Sequence, residues 1–360
     1  MSGRQKIAVR EATAAQRRPR PTDDSALGFG AIFTDHMFLM EYEEGKGWIN
    51  PRIEPYGPLS LDPATLVLHY CQEVFEGLKA YRREDGGIQL FRPRDNFRRM
   101  NLSNERLCMP PLDVEFALEA LKELLRLDAD WVPRSKGASL YIRPNIIATG
   151  VSLGVKVSPT YLYYVILSPV GAYYKEGFAP TRILVTDEHV RSVFGGVGAA
   201  KTGGNYAASL QASELAHKGG FSQVLYLDGA TRTFVEEVGT SNMFMLFDDT
   251  LVTPALSGTI LAGITRDSVL AIARGWGLKV EERPVKLAEV TEGVRSGRLK
   301  EAFASGTAAV ISPVGELGYR GEVYRVGDGG VGPLALRLNE ELTGIQWGER
   351  PDTRGWIERL

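Results

Sequence analysis

The chain has 360 residues, 44% hydrophobic and 24% charged, with a formal net charge of −2. This composition describes a soluble globular protein of two ordinary domains, and the near-neutral charge gives no reason to expect nucleic-acid or membrane partners. No apolar run reaches membrane-span length, Cys71 and Cys108 are too few and too far apart for a disulfide framework, and the four histidines show no zinc-ligand spacing. A reducing, cytoplasmic setting is therefore expected, with no metal.

Residues 1–26 hold Arg4, Lys6, Arg10, Arg17, Arg18 and Arg20 against Glu11, Asp23 and Asp24, with few large apolar side chains. They read as a flexible arm; Glu11 and the lack of an amphipathic stripe argue against an organelle transit segment. Residues 27–168 read as a small α+β domain. A hairpin is expected over 33–48 and a second from Leu78–Arg82 to Ile88–Arg92 across Glu84-Asp85-Gly86-Gly87. Helices follow at Arg94–Leu107 and Val114–Leu127. The second is capped by Asp113 and carries Phe116, Leu118, Leu121, Leu124 and Leu125 at helical spacing. Ala138–Ile147 and Thr160–Leu167 read as strands. Residues 169–180, rich in Pro, Gly and aromatics, read as an inter-domain loop.

Residues 181–360 read as a larger domain with a barrel-like or mixed sheet flanked by helices, not a doubly wound parallel sheet. Strands are expected at Arg182–Val190, Gln223–Leu227, Thr231–Glu237, Asn242–Phe247, Thr250–Pro254, Lys279–Pro284, Ala302–Phe303 and Ala308–Val314. Helices are expected at Tyr206–Lys218 with Asn205 as cap, Arg266–Gly275, Leu287–Ser296 and Leu334–Gln346.

The segment Gly195-Gly196-Val197-Gly198-Ala199-Ala200-Lys201-Thr202-Gly203-Gly204 sets one lysine between glycine-rich stretches. Such a lysine, if water is excluded, can lose its proton and attack a carbonyl, as an aldehyde cofactor requires. A phosphate-loop reading competes, but Ala200 stands where that pattern needs glycine and Gly203-Gly204 would weaken the first helical turn. A pyridoxal phosphate site needs such a lysine, an acid for the pyridine nitrogen, phosphate donors and a group on the phenolic oxygen. Glu236 and Glu237 are both candidates for the acid. Strand alternation allows only one of them to face a site, and the residues alone leave them tied. Leu261-Ala262-Gly263-Ile264-Thr265 before a helix and Ser305-Gly306-Thr307-Ala308 between strands are candidate anion binders, as is the arginine pair Arg98-Arg99.

These pieces, in this order, resemble the branched-chain aminotransferases, fold-type IV enzymes of pyridoxal 5'-phosphate. The resemblance runs from about Phe29 to about Gly348. It includes His69-Tyr70, Phe75-Glu76-Gly77-Leu78-Lys79-Ala80, Arg92-Pro93, Arg99-Met100 and Tyr141-Ile142-Arg143-Pro144. It continues through Ser152-Leu153-Gly154-Val155, Pro169-Val170-Gly171-Ala172-Tyr173, the Lys201 segment, Glu237-Val238-Gly239-Thr240, Gly263-Ile264-Thr265-Arg266 and Ser305-Gly306-Thr307-Ala308. The length and the Ser-Leu-Gly-Val segment look like the longer, animal-type subgroup.

The resemblance implies a fold with a smaller α+β N-terminal domain and a larger cofactor-binding domain. The implied activity is reversible transamination of leucine, isoleucine and valine with 2-oxoglutarate. It implies Lys201 as the catalytic, cofactor-bearing lysine, Glu237 on the pyridine nitrogen and Tyr206 on the ring oxygen. Arg99, Thr240, Ile264, Thr265 and Thr307 are implied around the cofactor, chiefly its phosphate. Phe29, Tyr70, Phe75 and Tyr141 match substrate lining, with Tyr173 on the covering loop. Arg143 matches the group that receives a γ-carboxylate, and Thr307 and Ala308 match donors to the α-carboxylate. Leu153 and Val155 match a loop that reaches the partner subunit's pocket in a homodimer. Some animal members carry a redox-active C-x-x-C pair after Gly-Thr-Ala; Ala309-Val310-Ile311-Ser312 lacks both cysteines, which excludes that switch. The alternatives are another fold-type IV enzyme, a D-amino acid transaminase or aminodeoxychorismate lyase, and a non-catalytic nucleotide-binding or scaffold protein.

Overall fold

The computed structural model describes residues 5–171 and 178–360. The chain divides into two compact units, one made of Met1–Tyr173, Ala200–Gly203 and Ile345–Leu360 and the other of Tyr174–Ala199 and Gly204–Gly344. The short Lys201 segment and the C-terminal residues thus group with the first unit, a return of the chain that a linear two-domain reading does not contain.

In the first unit the strands are β1 (Ala8–Val9), β2 (His36–Glu43), β3 (Gly47–Pro55), β4 (Glu73–Phe75), β5 (Leu78–Arg82), β6 (Ile88–Phe91), β7 (Ser139–Ala148) and β8 (Thr160–Val170), with a C-terminal strand at Ile357–Arg359. Among the described residues they form one sheet in the order β1-β3-β2-β8-β7-β5-β6-C-terminal strand, with β4 on β7. The helices are α1 (Leu66–Tyr70), α2 (Pro93–Arg106) and α3 (Val114–Leu127). α3 starts as expected: the Asp113 carboxylate accepts from the N–H groups of Glu115 and Phe116, both at 3.0 Å. Phe97 and Met100 of α2 and Leu118, Leu121 and Leu125 of α3 are buried in one core with Phe38, Ile53 and Leu140 of the sheet.

The arm expected over 1–26 is tied down from residue 8. β1 pairs in parallel with β3 at Arg52 and Ile53. The Ala12 N–H donates to His36 Nε2 at 2.8 Å, and the other ring nitrogen of His36 lies 2.6 Å from Asp128 Oδ1. Backbone pairing and one buried imidazole hold a segment whose polar side chains gave no strand signal.

The second unit contains β9 (Thr181–Thr186), β10 (Gln223–Leu227), β11 (Val235–Val238), β12 (Ser241–Phe247), β13 (Thr250–Thr253), β14 (Lys279–Glu282), β15 (Leu299–Gly306), β16 (Val310–Tyr319) and β17 (Glu322–Arg325). β11 pairs with both β10 and β12, so β11-β10-β9-β16-β15-β12 closes into a ring. This is the barrel-like sheet expected from the frequent hairpins, with β13–β14 extending from β12 and β17 from β16 outside the ring. Met243, Met245, Val238, Val314 and Leu317 lie in one buried cluster of this unit. Helices α5 (Leu210–Lys218), α6 (Ile264–Gly275) and α7 (Leu287–Arg295) belong to this unit.

The strand expected over Thr231–Glu237 starts only at Val235. The Asp228 carboxylate gathers the backbone N–H groups of Ala230, Thr231, Thr233 and Phe234 at 2.6–3.2 Å, folding the preceding residues into a turn. Burial pushes this carboxyl up, but the N–H bonds of Phe234, Thr231 and Thr233 outweigh it and bring it down to about 2. The folded-state value lies below the ordinary aspartate value. The ionised group therefore stabilises the fold above that ordinary value, and the contribution disappears as pH falls through about 2. Asp228→Ala is expected to cost about 1–3 kcal/mol in urea unfolding at pH 7. The gap to the parent protein should narrow in acid; a gap independent of pH would refute the charged-acceptor account.

Candidate active site

In the first unit Lys201 is fixed through its backbone. Its N–H donates to Ser103 Oγ of α2 and its carbonyl accepts from the Phe75 N–H, each at 3.0 Å. Two residues on, the Gly203 N–H donates to Glu73 Oε1 at 2.6 Å. The Lys201 ammonium nitrogen lies 4.9 Å from the centre of the Phe75 ring. The Arg143 guanidinium sits over the same ring at 4.8 Å and over Tyr141 at 5.3 Å, and its Nη2 donates to the Tyr141 hydroxyl at 3.2 Å. Phe29 meets Tyr141 edge to face at 5.0 Å. Lys201, Phe75, Arg143, Tyr141 and Phe29 are thereby brought together as one aromatic wall with a lysine and an arginine upon it. Arg143 Nε is buried and meets no hydrogen-bond acceptor among the described residues.

The wall depends on one glycine: a Cβ on Gly77 would stand 2.0 Å from the Tyr141 hydroxyl. Beside it, Arg99 is clamped by Glu76 in a bidentate pair, Nε–Oε1 and Nη2–Oε2 both 2.8 Å, with both side chains buried. Arg99 and Ser103 are one helical turn apart, so a single turn of α2 carries the arginine and the hydroxyl that holds Lys201. Tyr70 donates its hydroxyl to the Leu153 carbonyl. Leu153 and Val155 are 70% and 81% exposed, with Val151 and Val157 exposed beside them. Tyr173 lies outside the described residues.

In the second unit the acid pair sits on a bulge. Leu225 pairs with Val238 and Leu227 with Val235, so Glu236 and Glu237 together oppose the single residue Tyr226. Alternation fails at this point, and both glutamates are buried rather than one facing solvent. Both reach the segment before α6. Glu236 Oε1 accepts from Thr259 Oγ1 at 2.5 Å, and Glu237 Oε2 accepts from the Leu261 N–H at 3.2 Å. Their environments differ. Arg191 Nη1 lies 2.8 Å from Glu237 Oε2, and Asn242 Nδ2 donates to Glu237 Oε1 at 3.3 Å. Glu236 has a second oxygen that is buried without a partner among the described residues. Burial pushes the Glu236 carboxyl up, against the Thr259 bond and the Arg191 charge. The Arg191 guanidinium thus lies against Glu237, while burial disfavours the charged form of Glu236.

Arg191 was not singled out in the sequence. It follows directly on a strand expected over Arg182–Val190, which instead stops at Thr186. Its guanidinium also donates to the carbonyls of Gly198 and Thr259, tying the glycine-rich segment to the segment before α6. α6 begins at Ile264 with Gly263 at its cap and no side-chain acceptor there, and Thr265 is buried in the first turn. Such a helix start suits an anion. Ser305 Oγ is buried without a partner among the described residues, next to Gly306, Thr307 and Ala308 at the β15–β16 turn. Thr240 is exposed in the two-residue turn between β11 and β12.

Tyr206 lies on α4 (Gly203–Ala207), half-buried. The helix expected over Tyr206–Lys218 is two helices, and Asn205 is not its cap. Glu73 accepts from the Gly203 N–H at the helix start, while Asn205 donates its side-chain amide to the Val197 carbonyl at 2.8 Å. Ser209 Oγ bonds the Tyr206 carbonyl at 2.7 Å, a local competitor to helix continuation where α4 ends.

A family model described as amino-transferase class IV matches residues 73–317. A chain with this closed sheet, pinned lysine and buried acid belongs to that family. Within it, the chain is 52% identical over 355 residues to branched-chain-amino-acid aminotransferase 2 of Bacillus subtilis (strain 168), covering 99% of this chain and 98% of the relative. It is 47% identical to the branched-chain-amino-acid aminotransferase of Mycobacterium tuberculosis (strain ATCC 25618 / H37Rv), covering 98% and 96%. Both of these relatives are bacterial and of similar length, so the longer form is not confined to animals. The branched-chain amino acid aminotransferase structure from Escherichia coli superposes with a TM-score of 0.75 at 27% identity, covering 89% of this chain and 98% of that one. The T.th. branched-chain amino acid aminotransferase solved with pyridoxamine 5'-phosphate gives 0.73 at 28% identity, covering 89% and 97%.

Glu237→Gln keeps the shape but leaves Arg191 buried without its charge partner. Turnover per bound cofactor is expected to fall on the order of 10²-fold or more. Glu236→Gln mimics a protonated carboxyl and should change turnover less than about threefold, an effect under about 0.7 kcal/mol. Equal losses, or the reverse ranking, measured in steady-state assays would refute the assignment.

Proposed function

We propose that this chain reversibly transfers the amino group of L-leucine, L-isoleucine and L-valine to 2-oxoglutarate, with pyridoxal 5'-phosphate held on Lys201. The observation that carries the reading is the wall on which Lys201, Phe75 and Arg143 meet. A transaminase must accept an apolar side chain and a dicarboxylate in turn, and this wall supplies aromatic faces and one guanidinium. Phe29, Tyr70, Phe75 and Tyr141 take the branched side chain by excluding water. The buried Arg143 Nε, which lacks an acceptor among the described residues, takes the γ-carboxylate of glutamate.

The residues fit the cofactor. When bound, pyridoxal phosphate supplies an electron sink that makes the α-proton of an amino acid acidic. Glu237, charged beside Arg191, holds a proton on the pyridine nitrogen. Tyr206 bonds the ring oxygen. Arg99, pre-oriented by Glu76, holds the phosphate with Ile264 and Thr265 at the start of α6, and with Thr240 and Thr307. Lys201 Nζ takes and returns the proton at the substrate Cα. Thr307 and Ala308 donate to the α-carboxylate. The exposed apolar run Val151, Leu153, Val155 and Val157 supports a homodimer in which this loop meets the partner subunit. The free thiols of Cys71 and Cys108, both exposed, support a cytoplasmic setting. Among the described residues no helix is long and apolar enough to cross a membrane.

The purified protein is expected to be yellow and to sediment at twice the 39.5 kDa chain mass. It should transaminate leucine, isoleucine and valine in a panel of L- and D-amino acids. Borohydride should fix a pyridoxyl group on the Lys201 peptide, and Lys201→Ala should abolish turnover. Label on another lysine, or activity on D-amino acids alone, would overturn the proposal.

Arg143→Ala should separate the two substrates. Leucine offers the guanidinium no charge, so kcat/KM for glutamate and 2-oxoglutarate should fall about 10- to 150-fold more than for leucine. A ratio of half-reaction specificity constants unchanged within twofold would make Arg143 structural only.

A further inference from the structure

We propose that Glu73 is a positioning residue for the reaction, its carboxylate holding in place the turn that carries Lys201. The proposal rests on Lys201 being the cofactor lysine. Lys201 is held at three described points: its own N–H on Ser103, its carbonyl on the Phe75 N–H, and the Gly203 N–H on Glu73 Oε1. Two of the three come from the short strand β4. Glu73 supplies the one anchor that carries a charge, and at 2.6 Å its bond has the length of a charge-assisted one.

The placement follows from the sheet. β4 runs antiparallel to β7, with Glu73 opposite Ile147 and Phe75 opposite Asn145. Paired residues share a face, so Glu73 and Phe75 lie on the face of Arg143, Asn145 and Ile147. One three-residue strand therefore presents the ring beneath Lys201 Nζ and the carboxylate that fixes its turn. Burial pushes the Glu73 carboxyl up, while the Gly203 N–H and the Arg143 charge draw it back down. Gly203 completes the fit: a Cβ there would stand 2.2 Å from Glu73 Oε1, so only glycine lets the carboxylate reach the backbone.

A lysine that must both hold a cofactor and move a proton at the substrate Cα tolerates little displacement; about 1 Å costs on the order of 10²-fold in rate. Glu73→Gln keeps an acceptor but loses the charge, and Glu73→Ala loses both. In the cofactor-loaded enzyme, kcat for leucine is expected to fall about tenfold in the Gln variant and about a hundredfold in the Ala variant, with KM within about twofold. In the cofactor-free protein, amide exchange of the peptide covering residues 200–206 should speed up in the same order, Ala above Gln above parent. Gly203→Ala should reproduce the Ala phenotype in the parent. In the Glu73→Ala background, where the clash is gone, it should add less than about twofold, a departure from additivity expected of groups in contact.

A kcat within twofold of the parent in Glu73→Ala would overturn the proposal. So would a loss confined to KM, unchanged amide exchange, or effects of Glu73→Ala and Gly203→Ala that simply multiply. Amide exchange reads the Glu73–Gly203 contact without the cofactor. Borohydride label on a lysine other than Lys201 would therefore overturn the cofactor assignment, an outcome distinct from failure of the Glu73 contact.

Discussion

A carboxylate only 2% exposed, Glu237, lies 2.8 Å from the Arg191 guanidinium. Removing two such ions from water costs several kcal/mol each, and the cost is offset only when every remaining donor and acceptor is placed. The second unit is organised around that demand. A bulge turns Glu236 and Glu237 to the same segment; Asn242 bridges Glu237 to the Leu261 carbonyl; Arg191 reaches the Thr259 carbonyl. The start of α6, three residues after Leu261, is set by the same network. The buried Glu237 and the start of α6 are therefore not independent features of this unit.

The first unit solves a different problem. Its lysine is held through the backbone: three hydrogen bonds fix the main chain and an aromatic ring lies near the amine. Ser103 and Arg99 on one turn of α2, and Glu73 and Phe75 on one three-residue strand, show how few elements supply these contacts.

Where local signals were strong the sequence was enough. α3 begins and ends at the expected residues because Asp113 caps it and its leucines repeat at helical spacing. The closed sheet followed from frequent hairpins. The failures have physical causes. β4 has three residues, too few for any periodicity, so Glu73 went unnoticed. The tie between Glu236 and Glu237 could not be broken by alternation, because the bulge cancels alternation at those two positions. Arg191 gave no signal at all: its value lies in a partner 46 positions away, and in carbonyls that no pattern of side chains encodes. Asn205 had the chemistry of a cap, but a carboxylate from a distant strand took that role at Gly203. A long-range carboxylate decided the Arg191 and Gly203 cases.

The sheet of the first unit is bounded by β1 at one edge and Ile357–Arg359 at the other. Its far edge, β6, is therefore covered by residues made only after the whole second unit. On the ribosome the strands up to β8 emerge early, yet β6 stays open while the whole second unit is synthesised. At ordinary elongation rates that wait is on the order of ten seconds or more. During it the nascent chain displays one open edge of β6, with the apolar residues Ile88, Leu90 and Phe91, a template for pairing with another chain. Trp347, which packs edge to face on Tyr81, and the carbonyls of Ile345 and Gln346, which accept from Gln89, arrive with the same late segment. Completion of the lysine-bearing unit in this way waits until the second unit has been made.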